Sequence, residues 1–407
     1  MKQSVNSVSV CIASGLIFFF APFWGMLCAI YGLYKYKVND RGTIFLSFLI
    51  ALFWGLLAYT QESRSLGLET DITRYYDMFG RITSQINFPK EILALIHDDL
   101  AFVFVPLTTL FVYTTHSLQV IPLFWVTLTY FMFFLSICHI LKKEQLYTTK
   151  EYARYLLVLM ICAMLFVQIS ETIKNAAAFS VAFYAFSLFY AQKSHLKVLV
   201  WLIVAIGIHP SVLLLLPCFL YKHCHTRVLL ALSFVLFPIA INIDIFRLIA
   251  GILPTGGYIG ELSQKANAYV ASEKTSIRYL VISFSTLVMA AILYKHGKSK
   301  DNYLCNIVLI YFLVSSFNAC NIHSYVRFIN FIHPIIFILL LASYKTQFKY
   351  NQVIMQLYLL FLLFFTLRLT IGRTVTGGYL SSYMDNSLSE ILFSSVNDYL
   401  VYKTYPL

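Results

Sequence analysis

Long apolar runs alternate with short polar segments along almost the whole chain of 407 residues. Many runs are about 17 to 25 residues long, the length that a helix needs to cross a hydrocarbon core about 30 Å thick. Backbone in lipid must satisfy its own polar groups, so these runs are expected to be helical. The pattern predicts an all-α polytopic membrane protein with about twelve transmembrane helices. Residues 1–407 are expected to form a single integral membrane domain.

The composition supports a lipid environment. Hydrophobic residues make up 59% of the chain and charged residues 12%, whereas soluble domains carry about 25% charged residues. The net charge of +12 does not indicate a nucleic-acid partner, because Lys and Arg lie mostly in short loops between apolar runs. No metal site is expected, since the His223-Cys224-His225 cluster has no second ligand pair at a metal-site spacing.

The basic residues assign a side to each loop, because cytoplasmic loops carry an excess of Lys and Arg. Lys35, Lys37 and Arg41 place the loop after run 9–34 inside. That run is therefore expected to cross the membrane once, with the N-terminus outside. Segment 61–99 mixes acidic and basic residues and is expected to be the first large outer loop.

The same alternation predicts outer segments at 250–276 and 372–407, so that both termini face outward. Run 100–115 is shorter than the others and contains Pro106. We expect it to be a re-entrant or interfacial segment, since broken backbone is tolerated at membrane depth only where it packs against protein.

The run 197–222 has two interpretations, because His209-Pro210-Ser211 lies at its centre. It is long enough for one span, but basic residues at both ends would then lie on opposite faces. A hairpin of two short helices keeps both basic clusters inside and brings His209 to an outward cavity. We favour the hairpin.

Charged and aromatic side chains collect in the outer half of this predicted topology. The candidates are Asp71, Arg74, Tyr75, Tyr76, Lys174, His209, Arg278, His323 and Arg327. Arg278 has a simpler explanation, because its side chain can extend to the lipid head groups. Asp71 can likewise be an ordinary solvated acid in a polar loop. Lys174 and Arg327 are harder to explain, because a cation at the non-cytoplasmic end of a helix opposes the usual charge bias. Converging cations suit a lipid phosphate or diphosphate.

Three segments resemble a known family. Asp71, Tyr75 and Phe79 match the Asp-x-x-x-Tyr-x-x-x-Phe signature in the first outer loop of EpsG/Wzy-type polysaccharide polymerases. The stretch from Lys174 to His209 is similar to the family's second block, in which an Arg-Gln-x-x-Ala turn precedes two helices and a Phe-His-x-Ser turn. Tyr325-Val326-Arg327 resembles an Arg near the start of a later helix. Lys174 stands where the family usually has Arg, so a bidentate phosphate contact becomes a point-charge contact.

The resemblance implies a polymerase in O-antigen or exopolysaccharide synthesis, a multi-pass protein of the bacterial plasma (inner) membrane. Its substrate would be an undecaprenyl-diphosphate-linked oligosaccharide in membrane lipid, with a chain-length regulator and a flippase as further partners. No cofactor is implied, because a diphosphate is already a good leaving group whose charge preorganised cations can stabilise. On this hypothesis Asp71 is the base and His209 assists it or orients the acceptor. The substrate-binding set is Arg74, Tyr75, Tyr76, Lys174, Arg278, His323 and Arg327.

Three other functions remain open from the sequence. A polyprenyl-phosphate-sugar glycosyltransferase also places an acid in its first outer loop, often with a divalent metal, so metal-dependent activity would favour it. A lipid-linked oligosaccharide flippase suits the number of crossings, although no repeated halves are visible. An O-acyltransferase needs a His deep in the membrane, for which His209 is the candidate.

Overall fold

The structure, a computed structural model, forms two compact units. Unit 1 is Met1–Leu213 with Phe364–Leu407, and unit 2 is Leu214–Leu363. The residues that it describes are 7–65, 71–84, 93, 101–243, 248, 275, 277–296, 303–317, 319–329, 331–346, 351–371, 379–383 and 388–401. The outer loop expected at 250–276 lies outside the described residues, apart from Thr275.

Helices account for most of the described residues in both units. Unit 1 contains α1 (Ser7–Phe20), α2 (Pro22–Lys35), α3 (Asp40–Tyr59), β1 (Gln61–Ser65), α4 (Asp71–Ser84), α5 (Phe104–Thr115), α6 (Val120–Lys143), α7 (Thr149–Cys162), α8 (Phe166–Glu171), α9 (Ile173–Tyr190), α10 (His195–Ile208), β2 (Tyr379–Tyr383), α17 (Leu388–Phe393) and α18 (Val396–Val401). Unit 2 contains α11 (Thr226–Asn242), α12 (Ile277–His296), α13 (Tyr303–Ser316), α14 (Ile322–Ile329) and α15 (His333–Thr346). A 3₁₀ helix (Pro210–His223) and α16 (Asn351–Ile371) contribute residues to both units.

The predicted helical membrane character is confirmed. Among the described residues, three helices are long and apolar enough to cross a membrane: Asp40–Tyr59, Val120–Lys143 and Tyr279–His296. Several other helices are apolar but shorter, in the range of 10 to 17 residues. One of them is α5, whose 12 residues extend about 18 Å at 1.5 Å per residue, less than the roughly 30 Å of a hydrocarbon core.

The first apolar run forms two helices, so the expected single crossing is wrong. Ala21 leaves the helical conformation directly before Pro22, whose ring cannot continue the helical hydrogen-bond ladder. The chain then turns back, because α1 packs against α2 and the Asn39 N–H donates to the Ser7 hydroxyl at 3.2 Å. The start of α1 therefore lies beside the turn between α2 and α3, just before Arg41. This arrangement removes the basis for an N-terminus on the opposite side from that turn.

Helices α3 and α6 form an antiparallel pair that is fixed at both ends. At one end the Lys142 ammonium lies 2.7 Å from Asp40 Oδ1. At the other end the Gln119 amide donates to the Tyr59 carbonyl at 2.8 Å. Between them Gly55 permits a close crossing, because a Cβ there would lie 2.6 Å from the Leu123 carbonyl oxygen. The pair is the frame on which the outer parts of unit 1 are built.

Two segments expected as outer loop and outer tail are hydrogen-bonded to each other. Strands β1 and β2 pair antiparallel, with Ser63 opposite Ser381. The short helices after β2 continue onto the frame, where the Tyr59 hydroxyl donates to the Leu400 carbonyl at 3.2 Å. Strand β1 follows α3 directly, so β2 lies beside the end of α3, because a backbone ladder needs adjacent strands.

The helical path breaks at His209, where the sequence predicted a turn. Helix α10 ends at Ile208, and His209 has an extended conformation with φ −152° and ψ 122°. Pro210 then begins the 3₁₀ helix of 14 residues, which is long for this type of helix. Pro217 lies inside that helix and lacks the N–H that a helical hydrogen bond needs.

Unit 2 is held together around a buried carboxamide on α13. The Asn306 side-chain nitrogen donates to the carbonyls of Tyr221 at 2.9 Å and Cys224 at 2.7 Å. Its oxygen accepts a hydrogen bond from the Thr226 hydroxyl at 2.6 Å. Asn306 thereby closes the turn between the 3₁₀ helix and α11 against α13.

Candidate functional site

Four candidate residues lie on α4, an amphipathic helix within the expected first outer loop. Asp71 is its first residue, where the helix dipole favours a negative charge. Its carboxylate forms an ion pair with Arg74, one turn further on. The Asp71 side chain is 18% exposed and that of Arg74 57%, so the acid lies at the edge of the packed surface and the guanidinium faces outward.

The opposite face of α4 is packed against protein. Ile72, Tyr76 and Phe79 are buried, and their spacing of three and four residues places them on one helical face. Helix α4 contacts both α5 and α8. Tyr76 is only 3% exposed, so in this structure its ring anchors α4 instead of presenting a face to a sugar. Tyr75 is half-buried and keeps part of its ring accessible.

Lys174 is a buried cation. It is the second residue of α9 and is 5% exposed. A non-helical residue, Thr172, separates α8 from α9, and its hydroxyl donates to the Gln168 carbonyl at 2.8 Å. Glu171, the last residue of α8, is also buried. Burial of ionisable groups at membrane depth is costly and usually marks a functional cavity.

The Lys174 side chain lies against an aromatic ring that the sequence did not single out. Its ammonium is 5.7 Å from the centre of the Phe104 ring, which is within the range of a cation–π interaction. Phe104 begins α5 and has 0% exposure. On its other sides it meets Tyr75 of α4 at 5.2 Å and Trp125 of α6 at 4.8 Å between ring centres. An aromatic residue in an apolar run carries no local signal that would have identified this role.

The turn at His209 is attached to the same segment. The Val103 N–H donates to the Gly207 carbonyl at 2.8 Å. Gly207 has no side chain, and a Cβ there would lie 2.5 Å from Val103 Cγ2. The end of α10 thus lies directly against the start of α5. His209 Nδ1 accepts a hydrogen bond from the Ser211 N–H at 3.1 Å, so the neutral ring carries its proton on Nε2.

The elements that carry one set of candidates therefore meet around the start of α5. Asp71, Arg74 and Tyr75 come from α4, Lys174 from α9 and His209 from the end of α10. All belong to unit 1. The set combines a carboxylate, an imidazole and a buried ammonium, which are groups suited to proton transfer and to phosphate binding.

The remaining three candidates belong to unit 2. Arg278 is the second residue of α12 and His323 the second residue of α14, but both side chains lie outside the described residues. Arg327 is half-buried on α14. Helices α12 and α14 contact each other, and the Tyr325 hydroxyl donates to the Ser283 hydroxyl. Arg278 and Arg327 are thus carried by neighbouring helices.

These features define a helical membrane protein in which a buried cation and aromatic rings lie beside the amphipathic helix α4. The chain belongs to the EpsG family, whose family model matches residues 43–383. The matched range begins in α3 and ends at the last residue of β2, and it includes every candidate site residue. No curated protein and no solved structure matches the chain. Family membership indicates a membrane protein of polysaccharide biosynthesis with a polymerase-type, glycosyltransferase-like function on a lipid-linked saccharide.

Proposed function

We propose that this protein polymerises lipid-linked repeat units on the outer face of a bacterial inner membrane, as in O-antigen or exopolysaccharide synthesis. The growing glycan leaves undecaprenyl diphosphate and joins the non-reducing sugar of a second lipid-linked unit. The bond between the anomeric carbon and the diphosphate oxygen breaks. A bond between the same carbon and an acceptor hydroxyl oxygen forms, and the hydroxyl proton passes to a base.

The buried ammonium of Lys174 is the observation that carries this proposal. Lys174 is 5% exposed, and a buried ionisable residue in a membrane protein usually marks a functional cavity. Its ammonium lies beside the Phe104 ring. Preorganised positive charge of this kind stabilises the negative charge that develops on a diphosphate leaving group.

Asp71 is the proposed base. Its carboxylate lies at the edge of α4, partly exposed and oriented by Arg74, so an acceptor hydroxyl can approach it from outside. The turn that carries His209 lies near Phe104, because Gly207 accepts a hydrogen bond from Val103, the residue before Phe104. With its proton on Nε2, it can donate a hydrogen bond to a sugar oxygen and orient the acceptor. Tyr75 is placed to contact the sugar through the accessible part of its ring.

The other candidate cations belong to unit 2. Arg278, His323 and Arg327 are proposed to bind phosphate in that unit. Arg327 is suited to this role, because a guanidinium can bind two phosphate oxygens at once. A chain-length regulator and a flippase are proposed partners, since the substrate must reach the outer face and the product must be limited in length.

The proposed topology places α4, β1 and β2 outside. Helices α3 and α6 cross between that side and a cytoplasmic side that carries Lys142 and Lys143, in accord with the positive-inside rule. The α1–α2 hairpin opens toward the cytoplasmic side, where Ser7 meets Asn39. Each helix of the hairpin has 14 residues and extends about 21 Å, so the hairpin enters the membrane without fully crossing it.

The proposal is tested by replacing single residues in the full chain. Asp71→Asn, Lys174→Ala and Arg327→Ala are introduced separately, and the extracted polysaccharide is resolved on a ladder gel. Lys174→Ala is expected to reduce long-chain product by about 10²- to 10³-fold, the usual effect of losing one preorganised charge-stabilising group. Lys174→Arg keeps the charge and is expected to retain product.

Lys143→Ala is the matched control, because it removes an exposed cation at the end of α6 that is farther from Trp125 and Phe104. This variant is expected to leave the ladder unchanged. Protein level is measured by immunoblot for each variant. Normal ladders from all three site variants at normal protein level would rule out the assigned roles.

A further inference from the structure

We propose that Phe104 is a positioning residue, whose ring holds the Lys174 ammonium where a lipid diphosphate binds and fixes α4 over the same place. This inference rests on the proposed function, because it assigns to Phe104 a role in the diphosphate site of Lys174. It adds an aromatic residue for which the sequence pattern indicated no function.

The ring is placed to stabilise the cation. Phe104 is fully buried, and its ring centre lies 5.7 Å from the Lys174 ammonium. An aromatic face attracts a cation through the negative potential above the ring, and this attraction is strongest where water is excluded.

The ring itself has little freedom to move. Trp125 lies 4.8 Å from it, and the Trp125 indole N–H donates to the Thr108 hydroxyl at 2.9 Å. Trp125 and Thr108 are both fully buried. Phe104 therefore packs against a tryptophan that is itself held by a hydrogen bond that it donates to the helix of Phe104. A rigid ring gives Lys174 a defined position, which a charge-stabilising group needs.

The same ring contacts the helix that carries the proposed base. Tyr75 and Phe79 of α4 lie 5.2 Å and 6.1 Å from Phe104 between ring centres. These two residues follow Asp71 at intervals of four, so they lie on adjacent turns of one helical face. Phe104 thus links the position of Lys174 to the position of Asp71. Val103, the residue before Phe104, donates a hydrogen bond to Gly207 and so links the start of α5 to the His209 turn.

The test uses the full-length protein in lipid nanodiscs and farnesyl diphosphate as the probe. Phe104 is replaced by a series of phenylalanines with one, two and three ring fluorines, which weaken the negative face of the ring with little change in size. The dissociation constant is expected to rise steadily along the series. Phe104→Leu, which has no aromatic face, is expected to weaken binding by about 2- to 30-fold, the range of a cation–π interaction from exposed to desolvated sites.

Farnesol, which has no phosphate, is the ligand control, and its binding is expected to stay constant along the series. Phe134→Leu is the variant control. Phe134 is also fully buried on α6 but lies nine residues beyond Trp125, where it packs against Tyr130. The melting temperature of every variant is measured. Equal loss of diphosphate affinity in Phe104→Leu and Phe134→Leu, with equal loss of melting temperature, would overturn the inference in favour of a purely structural role.

A double-mutant cycle separates this inference from the proposed function. If Phe104 acts through Lys174, Phe104→Leu is expected to add little once Lys174→Ala is present. A flat fluorine series beside a large loss in Lys174→Ala refutes the role of Phe104 and leaves the proposed function standing. Unchanged diphosphate binding in Lys174→Ala refutes the phosphate role of Lys174, and the role of Phe104 fails with it.

Discussion

The pairing of β1 with β2 predicts that a disulfide between Ser63→Cys and Ser381→Cys forms in living cells. The two residues are direct partners in the antiparallel ladder, so their Cα atoms are about 4.5 to 5.5 Å apart. This distance lies within the range of about 4.4 to 6.8 Å that a disulfide requires. Disulfides form outside the cytoplasm and rarely within it, so spontaneous oxidation would also place both strands on the outer face.

The expected stabilisation follows from the length of the loop that the disulfide closes. The cross-link joins positions separated by about 320 residues, for which the chain-entropy relation gives about 6 kcal/mol. That value is an upper limit, because engineered disulfides usually deliver less. A rise in melting temperature that disappears on reduction is the expected result. Thermal unfolding of the purified protein, with and without reductant, measures it.

Two further cysteine pairs make the assay specific. Ser63→Cys with Ser382→Cys shifts one partner by a single residue, and neighbouring strand positions point to opposite faces, so this pair is expected to cross-link poorly. Ser7→Cys with Asn39→Cys tests the α1–α2 hairpin, since the two residues are in hydrogen-bond contact. This pair is expected to stay reduced in the cell and to oxidise after lysis with added oxidant.

Mass spectrometry identifies the cross-linked peptides in each case. The reasoning on the ladder is refuted if the shifted pair forms as readily as the direct pair. The proposed sidedness fails if the direct pair oxidises only after lysis. The hairpin is refuted if the Ser7 and Asn39 cysteines do not join even with added oxidant.

Two stability predictions concern the interior of each unit. Gly55→Ala is expected to destabilise the protein by about 1 to 3 kcal/mol, the usual cost of overpacking a tight contact. Gly15→Ala is the control and should be neutral or slightly stabilising, because the nearest atom to its added Cβ lies 3.5 Å away. The opposite order of the two melting temperatures would contradict the α3–α6 crossing. Asn306→Ala is expected to cost about 2 to 4 kcal/mol, because it leaves buried hydrogen-bond partners of the carboxamide unsatisfied. A melting temperature equal to that of the native protein would show that this network contributes little.

The helical membrane class could be predicted because run length and composition are visible directly in the sequence. The α1–α2 hairpin could not be predicted in the same way. A hydropathy pattern sees one apolar run from 9 to 34 whether the chain kinks or reverses at Pro22, and transmembrane helices tolerate proline. The reversal depends on a contact between Ser7 and Asn39, which are 32 residues apart. Non-local contacts of this kind leave no local pattern.

The site was predictable only where charge or motif spacing made a residue stand out. Lys174 stands out in the sequence because a cation is rare at the non-cytoplasmic end of a helix, and its burial is consistent with a functional role. Phe104 does not stand out, because aromatic residues in apolar runs usually face lipid or core. Its contacts with Tyr75 and Lys174 join segments about 30 and 70 residues away along the chain, and packing of this range is decided by the whole fold.

The family model matches the part of unit 1 that carries the candidate site and leaves out two parts that pack against α3. The α1–α2 hairpin lies before residue 43 and helices α17 and α18 lie after residue 383, so both fall outside the matched range. They meet each other through Trp24 and Phe393, 6.3 Å apart between ring centres. Helix α2 packs against α3, and Leu400 of α18 meets Tyr59 of α3. These contacts are made with the frame, while the contacts of Lys174 and Asp71 are made with α4 and α5. A charge-stabilising site needs supporting elements that do not shift. On the proposed function, the described parts of the hairpin and tail would provide that support through their packing on α3.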